Sequence, residues 1–327
     1  MMMNKVEMIK GAKRLVDECT NVKEGENVLI ITDTVTPLSI AEVLAAVCKE
    51  RGAEAVIAIM SAPQGEQADP PLPVAAAMQH AQVIFMVCSR GMVHSPSRGK
   101  ATQAGARFFS FSQVTEEDLY KGAIEVNVLE TRKFITQVAD ALRKAKEARI
   151  TTPAGTDIYL DFRGRPEKVL ELNSICHQPG DAKGILLEAA ISPRVGSAQG
   201  VVVCDASISL FKPGLVKEPV RATVKDGRVT EISGGADARR LSEVLAEMGD
   251  PLVYNVAELG IGLNPKAKMT GVKTQDKGVF GTCHIGLGSN STWGGTIKAK
   301  THFDLVMYAP RIELDGAVLL ENYKFNL

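Results

Sequence analysis

Aromatic side chains are scarce in this 327-residue chain, 5% of residues with a single tryptophan, and neither sign of charge is in surplus: Lys plus Arg and Asp plus Glu each number 38. With no basic excess there is no field to hold a nucleic-acid backbone or an anionic membrane, so neither is expected as a partner. Long apolar runs are missing too. Gln82 to Cys88 and Gly200 to Cys204 are strand-length and far short of the roughly 20 residues that span a bilayer. The N-terminal stretch alternates charged and apolar residues and lacks the apolar centre of a signal peptide. A soluble, cytoplasmic protein is expected. The six cysteines are scattered without a CxxC pair, which argues against a disulfide framework and a zinc knuckle. Cys88 and Cys283, each inside a strand-like run, read as core. No GxxxxGK[ST] loop occurs, and Gly286-Leu287-Gly288 lacks the third glycine of a dinucleotide loop.

What is present is the balance of a globular protein, 45% apolar and 23% charged. From Gly25 to about Arg149, apolar strand runs alternate with amphipathic helical stretches, the pattern of an α/β domain with a doubly wound, mainly parallel sheet. Strands are expected at Asn27 to Thr32, Ala53 to Met60, Gln82 to Cys88 and Ala106 to Phe111. Helices are expected at Leu38 to Arg51, Pro73 to His80 and Glu130 to Glu147, and Thr115-Glu116-Glu117-Asp118 reads as a capped helix start. Near Ile150 the character changes to strands and turns, beginning with a hairpin through Pro153-Ala154-Gly155. This places an N-terminal domain at 1–150 and a C-terminal α+β domain at 151–327. Later strands are expected at Gly184 to Ile191, Gly200 to Asp205, Val220 to Lys225, Gly227 to Ser233, Gly281 to Leu287 and Leu305 to Ala309, with one helix at Ala236 to Met248.

The chemistry concentrates in the C-terminal third. Only five histidines exist, and His302-Phe303-Asp304 leads into an apolar strand run where a period of two puts imidazole and carboxylate on one face. His284 lies on another strand between glycines, which permit close approach of a metal or substrate. The loop between them, Ser289-Asn290-Ser291-Thr292-Trp293-Gly294-Gly295, reads as a substrate rim, with Trp293 available for stacking. Two carboxylates stand in apolar stretches, Glu188 and Glu258. An unpaired buried carboxylate is costly, so each needs a cation. His94, in the loop after the third strand, and His177 are further candidates for contact with substrate or ligands.

Taken in order, Ala257-Glu258-Leu259-Gly260-Ile261-Gly262-Leu263-Asn264-Pro265, the strand Gly281 to Gly288 around His284, and His302-Phe303-Asp304 resemble the aminopeptidase T family of metallo-aminopeptidases. The resemblance implies two divalent metal ions, Zn, Mn or Co, held by Glu188, Glu258, His284, His302 and Asp304. It also implies a homodimeric hydrolase that cleaves an amide or peptide bond of a small molecule or short peptide through metal-activated water. That family's catalytic glutamate, shortly before the strand histidine, has no counterpart here. Asp276 and Lys277 occupy that stretch and become the candidates for base or electrophile. The segments Ala154 to Asp157, Gly260 to Pro265, Gly294-Gly295 and His302 to Asp304 are also similar to the 2,5-dihydroxypyridine 5,6-dioxygenases, Fe(II) ring-cleaving enzymes, which is the alternative reading. In those enzymes a histidine stands at the Glu258 position and none at His284. The presence of Glu258 and His284 therefore favours the two-metal set.

Overall fold

The structure, a computed structural model, describes residues 2–65, 68–164, 168–291 and 294–327. Trp293 and Thr292 of the expected substrate rim lie outside these residues. The chain divides into two compact units, Met1–Thr131 with Leu172–Ile185 and Arg132–Glu171 with Leu186–Leu327. This differs from a single cut at Ile150. The apolar stripe of the helix Val128–Lys144 reads the same whichever sheet it covers, and most of that helix belongs to the second unit.

The first unit is a five-stranded parallel sheet in the order Glu54–Met60, Asn27–Asp33, Val83–Val87, Arg107–Ser110, Ala182–Gly184. Parallel strands need crossovers, and the helices Leu38–Glu50, Leu72–Met78 and Pro96–Gln103 supply them. The central strand Val83–Val87 is buried throughout, as its uninterrupted apolar run demands. The expected doubly wound sheet is what forms. The stretch after Thr115 does not become a regular helix. Asp118 folds back to accept the Thr115 N–H at 2.7 Å and its hydroxyl at 2.9 Å, and only the single turn Glu117–Leu119 follows.

The second unit carries two sheets. One has eight strands in the order Arg228–Gly234, Val220–Lys225, Gln199–Cys204, Asp157–Asp161, Glu147–Thr151, Arg311–Leu314, Ala317–Glu321, Lys324–Phe325. Its hairpin at Pro153 to Gly155 turns through Gly155 at φ 105°, a conformation that favours glycine. The other sheet is antiparallel along Ser207–Ile208, His302–Met307, Cys283–Gly288, Val256–Gly262 and Leu187–Ile191. The helix Val128–Lys144 buries Ile135, Val138, Ala139 and Leu142, at helical spacing. Nearby, Phe134 stacks on Phe280 at 5.9 Å and meets Phe325 edge-on at 5.0 Å.

The expected strand Gly184 to Ile191 is in fact two. Ala182–Gly184 ends the first unit's sheet and Leu187–Ile191 enters the second unit's. An apolar run carries no mark of where one sheet ends and another begins. Among the described residues no helix is long and apolar enough to cross a membrane.

Candidate metal centre

Four strands of the antiparallel sheet build the site, and their register decides which side chains meet. Glu258 pairs with Gly286, which in turn pairs with Asp304; His284 pairs with Gly260, Glu188 with Gly262, and His302 with Gly288. Each of the five expected ligands thus faces a glycine across the ladder. Paired positions share a face of the sheet, so a functional group beside a missing side chain can lie across its neighbour strand. The space is already taken by the ligands. A Cβ on Gly260 would stand 2.0 Å from His284 Nε2, and one on Gly286 would stand 2.8 Å from both Glu258 Cβ and His302 Cε1.

The five side chains form two overlapping groups, Glu188 with Glu258 and His284, and Glu258 with His302 and Asp304. His284 Nε2 lies 3.6 Å from Glu188 Oε2 and 3.4 Å from Glu258 Oε1. His302 Nε2 lies 2.9 Å from Glu258 Oε2 and 3.3 Å from Asp304 Oδ1. All but His302 are buried, Glu258, His284 and Asp304 completely.

The hydrogen bonding tests whether a metal fits. His302 Nδ1 is 2.8 Å from the Ser289 carbonyl, which can only accept, so Nδ1 carries the proton and Nε2 is left as a lone-pair donor. That lone pair points at two carboxylate oxygens, and a cation or an extra proton has to lie among the three. Burial lowers the His302 pKa, but Asp304 and Glu258 more than offset it and raise it to about 9, so without a metal the ring takes the extra proton. Glu188 Oε2, Glu258 Oε1, Asp304 Oδ1 and both His284 nitrogens are buried without a hydrogen-bond partner among the described residues. Native interiors rarely leave such atoms unpaired. Two imidazoles and three carboxylates whose donor atoms converge are what a divalent transition metal accepts.

Charge in the site is strongly coupled. Burial raises the Glu188 carboxyl above its usual range, only partly opposed by Lys277 and His284. For Glu258 and Asp304 burial acts the same way, but Lys277 leads a set of cations that outweighs it and holds both below the usual carboxylate range. Lys277 is kept charged despite burial, because Asp304, Glu188 and Glu258 surround its ammonium. Asp304 is further fixed by Ser209, whose hydroxyl donates to Oδ2 at 2.9 Å and accepts the Asp304 N–H at 2.8 Å.

The structure brings the expected Glu188, Glu258, His284, His302, Asp304 and Lys277 together in one cluster. Asp276 is in neither ligand group. Its carboxylate accepts the N–H of Thr270 at 2.7 Å and of Gly271 at 3.0 Å, organising the loop that precedes Lys277. His177 Nε2 donates to the Glu18 carbonyl, 2.8 Å away in the first unit, and His94 is exposed. Ser209 was missed, and Ser289 was read only as part of a substrate rim and not as the partner of His302, since a serine in a loop carries no signal of a partner about to be brought in from another strand.

Comparison with known proteins separates the two family resemblances. The family model for NicX, 2,5-dihydroxypyridine 5,6-dioxygenase, matches residues 7–326. The chain belongs to this family. A curated relative, the 2,5-dihydroxypyridine 5,6-dioxygenase of Pseudomonas putida, is 24% identical over 246 residues, spanning 70% of this chain and 67% of the relative. The solved structure of 2,5-dihydroxypyridine dioxygenase from the same organism has the same fold, with TM-score 0.83 at 18% identity over 98% of this chain and 97% of that one. Wild-type AmpT from Thermus thermophilus shares the fold at TM-score 0.69 and 13% identity, over 99% of this chain and 100% of that chain. The expectation of an aminopeptidase T-type hydrolase, and with it the aminopeptidase and metalloprotease activity, is corrected by the NicX match across nearly the whole chain. The error has a physical source. The glycine-lined sheet and its carboxylate and imidazole positions suit either chemistry, so Glu258 and His284 could not discriminate between them.

Proposed function

We propose that this NicX-family protein is a non-haem Fe(II) dioxygenase that opens the ring of a small dihydroxylated nitrogen heteroaromatic of the 2,5-dihydroxypyridine type. The observation that carries the reading is the family match over residues 7–326, with the buried donor cluster lying within it. Glu258, shared by both donor groups, would hold the iron together with His302 and Asp304 on one side and His284 and Glu188 on the other. Iron(II) bound there supplies the redox centre that lets O2 react with an electron-rich ring.

The protein's own contribution is placement. Ser289 fixes the His302 tautomer so that Nε2 is the donor, and Ser209 holds Asp304 in one orientation. Gly260 and Gly286 leave room for the His284 ring and for the Glu258 and His302 side chains. Burial of Glu188, Glu258, His284 and Asp304 keeps bulk water from these donor atoms.

The test is oxygen uptake by protein loaded with Fe(II) under anaerobic conditions and then mixed with 2,5-dihydroxypyridine and air. One O2 consumed per ring lost supports the reading. Iron-loaded protein that consumes no O2 with any dihydroxypyridine overturns it. His302→Ala and Asp304→Ala should each lose iron with an unchanged circular dichroism spectrum; a double variant that keeps stoichiometric iron refutes the ligand assignment.

A further inference from the structure

We propose that Lys277 is a built-in cation standing in for a second metal ion, so that this five-ligand site holds one divalent ion per chain. The inference deepens the metal reading above and rests on it. The two donor groups share Glu258, which as donor geometry alone is an arrangement for two ions bridged by one carboxylate. Lys277 Nζ lies 3.6 Å from Glu188, 3.9 Å from Glu258 and 3.4 Å from Asp304. One ammonium therefore touches the carboxylate private to each group and the one they share.

Charge decides the count. Three carboxylates and the one buried ammonium leave two negative charges when the imidazoles are neutral, which one divalent ion cancels; Lys273, 3.8 Å from Asp304 Oδ2 but 40% exposed, is screened by solvent and adds little to the balance. A second divalent ion would leave the same pocket two charges positive. The carboxylates there are at most 2% exposed and the lysine side chain 7%, so water cannot screen the excess.

The backbone keeps the ammonium where it is. Asn264 N–H donates to the Gly278 carbonyl at 2.8 Å, and Phe280 N–H donates to the Asn264 carbonyl at 3.1 Å, which ties the segment after Lys277 to the end of the Glu258 strand. Gly262 lets this segment come close, since a Cβ there would stand 2.8 Å from the Lys277 carbonyl oxygen.

The experiment counts ions, with Zn(II) as a redox-inert probe, by equilibrium dialysis and elemental analysis. Wild type should saturate at one Zn(II) per chain, Lys277→Arg also at one, and Lys277→Met at two. Two ions in the wild type, or one in a folded Lys277→Met, overturns the inference. Should Lys277→Met fail to fold, Mn(II) bound to the wild type settles the matter by its electron spin resonance: an isolated-ion signal supports the inference and an exchange-coupled pair overturns it. Wild type that binds no ion refutes the metal reading itself, an outcome distinct from binding two.

Discussion

Gly260 and His284 face each other across adjacent strands, and the ring of His284 fills the place where a side chain on Gly260 would begin, 2.0 Å from Nε2. The Gly260→Ala variant cannot keep both the sheet register and the position of the imidazole. Forcing a methyl into a filled core typically costs about 1–3 kcal/mol. The imidazole should move first, because the ladder on both sides of Gly260 is anchored by backbone hydrogen bonds. Metal content should fall well below that of the wild type with a modest loss in melting temperature. Full metal retention in this variant would mean that His284 does not hold the ion.

Removing the metal should weaken the protein without unfolding it. Lys277 remains among the carboxylates and His302 takes up a proton, so the buried negative charge is partly balanced in the apo form. An ion at 100 times its dissociation constant adds about 2.7 kcal/mol to stability. Dialysis against a chelator should therefore lower the melting temperature by several degrees, and Fe(II) or Zn(II) should restore it. An unchanged melting curve on chelation would count against a resident ion.

How far the sequence could be read depends on the range of the interaction. The first unit was legible because each strand is a local apolar run, and Asn27 to Thr32 was expected where Asn27–Asp33 is found. Glu188 and Glu258 announced themselves as carboxylates in apolar company. What could not be read was pairing. Nothing near Ser209 indicates that its hydroxyl will meet Asp304, 95 residues away, and nothing in the run Gly184 to Ile191 shows that it is shared between two sheets. Lys277 was noticed only for lying where a glutamate was expected, whereas its three carboxylate contacts come from three separate strands.

Ser209 yields a prediction of its own. It donates to Asp304 Oδ2, accepts from the Asp304 N–H, and its own N–H bonds the Asp304 carbonyl at 3.0 Å. Ser209→Ala keeps the last of these and loses the other two. Removing a partner that orients a metal ligand typically costs about 10–100-fold in affinity or activity. Titration with Zn(II) should show a weakened dissociation constant in that range at an unchanged stoichiometry. Wild-type affinity in the variant would show that Lys277 and Lys273 suffice to orient Asp304.

On the eight-stranded sheet, Asp161 sets the response of the fold to acid. Its buried carboxylate receives Arg163 Nε at 2.8 Å, the Arg163 N–H at 2.9 Å and Arg194 Nη2 at 2.7 Å. Arg163 above all, with Arg194 adding to it against the opposing effect of burial, holds the Asp161 carboxyl well below its usual range. A carboxyl with a depressed folded-state pKa binds protons more readily when unfolded. Its contribution is complete above about pH 4, the ordinary pKa of an aspartate, and drains away as pH falls through that value toward the folded one. Both arginines are more than half exposed, so solvent screening limits the effect to roughly 1–2 kcal/mol. Urea midpoints measured from pH 7 to pH 3 should therefore fall more steeply for the wild type than for Asp161→Asn, which starts lower at pH 7. Parallel curves for the two proteins would place the acid sensitivity elsewhere, with the buried carboxylates of the metal centre as the next groups to examine.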